Sequence, residues 1–325
     1  MDSIVDHIPA FANRTYSHPG AENGTQDGDN NRHDNCIVNI QVHLIRLYLL
    51  DVCAVTCYIF PMTVIFLKLG GSLITDKTRP YTPRPEKLDL LAAEIASVLK
   101  DNKDLHLVLG HGSGSFGHAA ASHYNTRLGV SGLSAWHGFA EVWYRASALN
   151  RLVLETLNRA GLPAITLSPV ASITARDGMI SNWNSFPIQA ALSNGLLPVV
   201  HGDVVFDEIR GGTILSTEDL FAHLAHQLHP QRILLAGLEA GVWADFPAHK
   251  QLLVEMTPGS FAQHASGLGA ASGTDVTGGM LSKVTGMLSL VEQIPDLEVL
   301  IFSGEQSGNL IRALWGENPG TRLHC

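Results

Sequence analysis

Lysine is scarce in this chain. Only 7 of its 325 residues are lysine, and acidic residues outnumber Lys and Arg by 30 to 21, a formal net charge of −9. That balance leaves no basic face of the kind nucleic acid requires, so no nucleic-acid partner is expected. Cysteine is almost as rare. Cys36, Cys53 and Cys57 lie near the N-terminus and Cys325 is the last residue. No disulfide framework can hold the body of the chain, and a reducing, cytoplasmic setting fits. Cys53 and Cys57 have no further Cys or His at ligand spacing, so no resident metal is expected. Gly-Lys-Ser/Thr occurs nowhere, which excludes a P-loop. Neither Ser113 nor Ser115 completes Gly-x-Ser-x-Gly, which excludes a nucleophile elbow there.

The first 61 residues differ from the rest. Residues 1–35 are polar and rich in Asn, Asp and Gly, the composition of a disordered segment. Residues 36–60 are apolar but carry Arg46 and Asp51, both costly inside a bilayer, so no stable membrane span is expected. Nothing resembles a basic start followed by a small-residue cleavage site. Residues 1–61 are therefore read as a disordered or dispensable extension, and residues 62–325 as one catalytic domain.

From Met62 onward strand and helix patterns alternate. Apolar residues at 88, 91, 92, 95, 98 and 99 mark a helix over 85–100. Strands are expected at 64–67, 105–109, 163–168, 196–200, 232–236 and 297–302. Helices are expected near 137–160, 187–194, 218–228, 278–293 and 308–315. Val204 to Phe206 and Thr213 to Leu215 read as a hairpin through Gly211-Gly212. Such alternation implies an α/β protein with a mainly parallel sheet, helices on both faces, and ligands beyond the carboxyl ends of the strands.

Two glycine-rich turns lie there. The first strand runs into Lys68-Leu69-Gly70-Gly71-Ser72, and the second into Gly110-His111-Gly112-Ser113-Gly114-Ser115-Phe116-Gly117-His118. Amides in such turns converge on one spot, glycine lets an anion approach, and the following helix start adds positive charge. Gly112-x-Gly114-x-x-Gly117 also fits a dinucleotide fingerprint, but residues 118–140 contain no Asp or Glu to hold a ribose. Lys68, Lys77 and Lys283, three of the few lysines, sit in or beside Gly- or Ser/Thr-rich turns. The layout suits phosphates on two molecules held together. His223, His226 and His229 read as a solvated helix face rather than a metal site. Trp136, Phe139, Trp143 and Tyr144 are either core or pocket wall.

Lys68-Leu69-Gly70-Gly71-Ser72-Leu73-Ile74-Thr75-x-Lys77 resembles the opening of the amino acid kinase family, and residues 111–118 resemble its isopentenyl phosphate kinase branch. His201-Gly202-Asp203-Val204-Val205, Ser216-x-x-Asp219, Thr277-Gly278-Gly279-Met280-x-x-Lys283, Gly308-Asn309-Leu310 and Gly320-Thr321 follow in family order. The resemblance implies an open, mainly parallel sheet in a three-layer α/β/α sandwich, usually dimeric. It implies phosphorylation of isopentenyl phosphate by ATP with Mg²⁺. Lys68 and Lys283 would bridge the ATP phosphates, Lys77 would neutralise the transferring group, and Asp219 would orient the lysines by ion pairing. Gly70, Gly71, Ser72 and Gly279 would border the nucleotide. Gly112, Ser113 and Gly114 would give amides to phosphate. His118, beside Gly117, would hydrogen-bond the acceptor phosphate, bordered by Gly202 and Asp203. One departure stands out: Gly237-Leu238-Glu239-Ala240-Gly241-Val242-Trp243 replaces the family's Thr-Asp before Gly-Val-Tyr, so Glu239 is a candidate replacement acid. Ser113, where the family tends to have glycine, keeps the amide and adds a hydroxyl. A sister kinase for a phosphonate such as fosfomycin and a catalytically inactive sensor remain as alternatives.

Overall fold

Val64 and Phe66 point to one side of the first strand, and Ile65, Leu67 and Leu69 to the other; both sets are buried. A strand apolar on both faces belongs in the middle of a sheet covered twice. The computed structural model describes residues 63–264 and 279–325, without the side chains of His118, Ala119 and Ser122. The described residues all lie within one compact unit, Pro61–Cys325. The expected N-terminal extension, its three cysteines, Thr277 and Gly278 lie outside the described residues.

The chain runs β1 (Thr63–Leu69), α1 (Gly71–Ile74), α2 (Pro85–Asp101), β2 (Leu105–His111), α3 (Gly114–Tyr124), a 3₁₀ turn (Thr126–Leu128) and α4 (Gly132–Arg159). Then come β3 (Ala164–Thr166), α5 (Pro169–Ser172), β4 (Ile173–Arg176), β5 (Met179–Trp183), α6 (Phe186–Ser193), β6 (Leu197–His201), β7 (Asp203–Asp207), β8 (Gly211–Leu215) and α7 (Thr217–Leu228). The last third holds β9 (Arg232–Gly237), β10 (Val242–Trp243), β11 (Leu252–Leu253), β12 (Glu255–Met256), α8 (Pro258–His264), α9 (Gly279–Gln293), β13 (Glu298–Ser303), α10 (Asn309–Leu314) and β14 (Gly320–Leu323).

Eight strands form the main sheet in the order β12-β14-β13-β9-β1-β2-β6-β3, parallel throughout except for the antiparallel β13–β14 pair. Leu220, Phe221 and Leu224 of α7 join Val284 and Met287 of α9 on one face. Leu88, Leu91 and Ile95 of α2 join Leu149 and Val153 of α4 on the other. This is the expected three-layer arrangement, and every helix and strand read from the sequence is present. A second sheet, β5-β4-β7-β8, contains the predicted hairpin as β7 and β8. Of its other strands, Ile-Thr-Ala-Arg alternates over only four residues and Met-Ile-Ser-Asn-Trp does not alternate, so both escape a reading by period. Among the described residues no helix is long and apolar enough to cross a membrane.

Register places the site. Leu69 pairs with His111 and His111 with His201 across β1, β2 and β6. The three strands therefore end level, and the turns at Gly70, Gly112 and Gly202 emerge side by side.

Candidate active site

A cavity of about 460 Å³ opens at these strand ends. Lys68, Gly70, Gly71, Ser72, Lys77, Gly112, Ser113, Gly117, Gly202, Asp203, Asp219, Gly279 and Lys283 line it, so residues far apart in the sequence share one wall. His118 lies on α3, one turn from the helix start, but its side chain is outside the described residues. Gly114 is not part of the wall. It sits behind it with φ +49°, packed against Thr75 and Gly71, and the Ser115 amide donates to Thr75 Oγ1 at 2.9 Å. The packing of the turn by itself demands glycine at this position.

The first helical turn of α7 divides its two acids. Ser216 and Asp219 form a capping box: Asp219 Oδ2 accepts from the Ser216 amide at 2.7 Å and hydroxyl at 2.8 Å. Asp219 also faces Arg127 at 3.5 Å. The carboxylate that meets Lys68 is Glu218, not Asp219. Burial alone would push the Glu218 carboxyl up, but Lys68 and then Lys283 hold it below the usual carboxylate range. The ion pair to Lys68 expected of Asp219 is made by its neighbour. A capping side chain folds back on its own helix start and cannot also reach β1. Sequence reasoning missed Glu218 because the motif spacing named only the cap.

Lys77 sits on an exposed loop closed by a Thr75–Pro83 bridge. Asp76 accepts from the Thr78 amide at 2.9 Å, the Thr78 hydroxyl at 2.6 Å and Arg79 Nε at 2.9 Å. Those hydrogen bonds hold its carboxyl at about 2. Tyr81 sits edge-on to Phe116, and the Arg145 guanidinium lies 4.2 Å from the Tyr81 ring centre. Arg84 pairs with Glu305 and donates to the Leu73 carbonyl at 3.1 Å, tying the other end of the loop to the β13 side.

Beneath the second glycine turn lie two buried histidines. The His111 and His201 rings stack at 5.2 Å, 5° from parallel. His111 Nε2 meets Asn150 Oδ1 at 3.1 Å, and burial followed by the His201 neighbour pushes its imidazole down to about 4. His201 Nε2 lies 3.4 Å from Asp203 Oδ2, and burial raises the Asp203 carboxyl despite that partner.

The far walls differ in character. Ala121, Val142, Ala146 and Ile214 make one end aliphatic. The aromatic residues of α4 are not there: Trp136 and Phe139 pack against Phe206, and Trp143 and Tyr144 are exposed. Helix α4 does reach the cavity, through small residues on its next turns. Gly237, Leu238, Glu239, Trp243 and Phe246 line the other end. Trp243 Nε1 donates to Glu239 Oε2 at 3.0 Å, so the replacement acid of that loop is held by an indole. His223, half-buried, meets Gln227 at 2.8 Å and stacks on Trp183, while His226 and His229 are exposed.

The profile of the amino acid kinase family matches residues 63–303. The isopentenyl phosphate kinase of Methanothermobacter thermautotrophicus is 34% identical over 270 residues, covering 80% of this chain and 98% of the relative. That of Methanocaldococcus jannaschii is 30% identical over 266 residues, covering 79% and 97%. A crystal structure described as isopentenyl phosphate kinase superposes with a TM-score of 0.68 at 30% identity, covering 80% of this chain and 99% of that one. The Thermoplasma acidophilum isopentenyl phosphate kinase product complex, at 20% identity and a TM-score of 0.64 over 81% of this chain and 100% of that one, shares the fold. With its strand ends, glycine turns and lysines arranged as above, the chain belongs to the amino acid kinase family.

Proposed function

We propose that the chain transfers the γ-phosphoryl group of MgATP to isopentenyl phosphate. The observation that carries this reading is one cavity lined by Lys68, Lys77 and Lys283 at its centre and by Ala121, Val142, Ala146 and Ile214 at one end. The relatives named above support the same acceptor. An oxygen of the acceptor phosphate attacks the γ-phosphorus, the bond from that phosphorus to the β,γ-bridging oxygen breaks, and ADP leaves with the electron pair. The attacking oxygen is already ionised, so positioning and charge neutralisation supply the catalysis. Lys68 and Lys283 bridge the nucleotide phosphates, with Glu218 holding Lys68 in place. Lys77 meets the charge that moves with the phosphoryl group. Gly112 and Ser113 offer amides, His118 holds the acceptor phosphate, and Gly202 and Asp203 border it. Magnesium would enter as part of the MgATP substrate and would supply charge neutralisation at the nucleotide phosphates. A homodimer and a cytoplasmic setting belong to the proposal, supported by exposed Leu133 and Tyr144 on α4 and by the cysteine-free stretch from 58 to 324.

The test is ADP release with isopentenyl phosphate, dimethylallyl phosphate, methyl phosphate and fosfomycin. Four fewer apolar carbons at about 0.8 kcal/mol each should make methyl phosphate roughly 200-fold poorer in kcat/KM. Equal rates for the two would remove the apolar end from the reading. Preference for fosfomycin would make the chain a phosphonate kinase, and ATP binding with no turnover of any acceptor would make it a sensor.

A further inference from the structure

We infer that Arg127 is a second holder of the acceptor phosphate; the inference rests on the reading above. Arg127 belongs to the 3₁₀ turn that follows α3, the helix carrying His118, and it lines the cavity. Its carbonyl accepts from Thr213 Oγ1 at 3.0 Å, so β8 fixes its backbone. Ala121 on α3 and Ile214 on β8 come from the elements on either side of it and form part of the aliphatic end. This places Arg127 on the acceptor side, across from the Gly237–Phe246 wall.

Its hydrogen-bond inventory is incomplete. Asp219 Oδ2 lies 3.5 Å from Nη2 and already accepts two hydrogen bonds from Ser216. Nη1 is buried and, among the described residues, has no hydrogen-bond partner. A buried guanidinium nitrogen left without an acceptor is unfavourable, and the loose contact with Asp219 does little to offset it. A planar fork of donors at a cavity wall matches a phosphate, which accepts two parallel N–H bonds. The charge count points the same way. A monophosphate and a nucleotide triphosphate must share a pocket whose wall also carries Asp203, Glu218, Asp219 and Glu239, and Lys68 is already paired with Glu218. A fourth cation on the acceptor side keeps the two phosphates from repelling each other before transfer.

The contrary reading is that Arg127 only pins the 3₁₀ turn to the start of α7. Arg127→Met and Arg127→Lys, made in the full chain, separate the two. The measurements are KM for isopentenyl phosphate and for MgATP, calorimetric Kd for isopentenyl phosphate, and Tm. Loss of a charge-assisted pair should raise KM and Kd for isopentenyl phosphate about 10- to 100-fold in Arg127→Met. KM for MgATP should stay within about twofold, and Arg127→Lys should recover part of the loss by restoring the charge without the fork. Unchanged acceptor constants, or equal rises for both substrates alongside a lower Tm, overturn the inference while wild-type turnover leaves the functional reading standing. Wild type that binds MgATP but neither binds nor phosphorylates isopentenyl phosphate overturns both.

Discussion

Gly71 and Gly114 meet backbone to backbone: a Cβ on Gly71 would lie 2.6 Å from the Gly114 Cα. One on Gly112 would lie 2.8 Å from the Gly71 nitrogen. The lysine-bearing turn of β1 and the turn of β2 are thus packed into each other. Gly71→Ala should push them apart. Overpacking of this kind costs about 1–3 kcal/mol, and a shift near 1 Å at reacting groups can cost on the order of 10²-fold in rate. Both Tm and ADP release should fall. Gly259→Ala is the control, because that exposed glycine lies outside the cavity wall and a Cβ there meets only Thr257 Oγ1, at an ordinary 3.8 Å. Wild-type melting and turnover in Gly71→Ala would mean that packing does not demand glycine at that position.

The sequence made the sheet legible because its central strands are apolar on both faces and its helices keep a 3.6-residue stripe. The cavity wall was legible for the same reason, since the glycine turns end adjacent strands. What stayed hidden depends on contacts between distant elements. Gly71 reads as a phosphate glycine until Gly114 is seen beside it. Glu218 reads as the ordinary acid of a helix start until β1 brings Lys68 to it. Arg127 has no motif at all; only the fold sets it beside the pocket. The α4 aromatics read equally as core or wall, because a helical stripe does not say which neighbour it meets, and Val142 and Ala146 turn out to hold the wall.

The division of labour between Glu218 and Asp219 has a direct test. Glu218→Gln keeps the shape and removes the charge that holds Lys68. Lysine misplacement should lower kcat on the order of 10²-fold with little change in Tm. Asp219→Asn keeps part of the cap and loses its charge. It should cost about 1 kcal/mol of stability or less and under tenfold in kcat. The reverse pattern would return the orienting role to Asp219.

His111 makes stability depend on pH. The fold holds its imidazole neutral, down from the ordinary 6.5 to about 4. Between those values the unfolded chain binds a proton that the folded chain refuses, so stability falls as pH drops from 6.5 to about 4. The full difference is about 3 kcal/mol. Asp203, raised by burial, leans the other way, because the fold takes up its proton more readily than the unfolded chain. Urea unfolding of wild type and His111→Gln across pH 4 to 7 isolates the histidine term. The difference between the two should shrink or change sign toward the acid end. A constant difference would show that His111 titrates alike in both states.

Arg145 over the Tyr81 ring links helix α4 to the loop that carries Lys77. Val142 and Ala146, on the same stretch of helix, line the aliphatic end of the cavity, so an acceptor seated there is coupled through Arg145 to the lysine proposed to meet the transferring group. Lys77→Ala should lower kcat by about 10²-fold or more while KM for MgATP changes little, the signature of a contact made mainly in the transition state. Arg145→Met removes a cation–π contact worth about 0.5–2 kcal/mol at such a site, which should appear as roughly a 2- to 30-fold drop in kcat. Tyr81→Leu should do the same. If these residues act through Lys77, neither should lower the rate further in a Lys77→Ala background, since the interaction they support is already gone. A full additional loss in the double variants would mean that Arg145 and Tyr81 act on the reaction by another route.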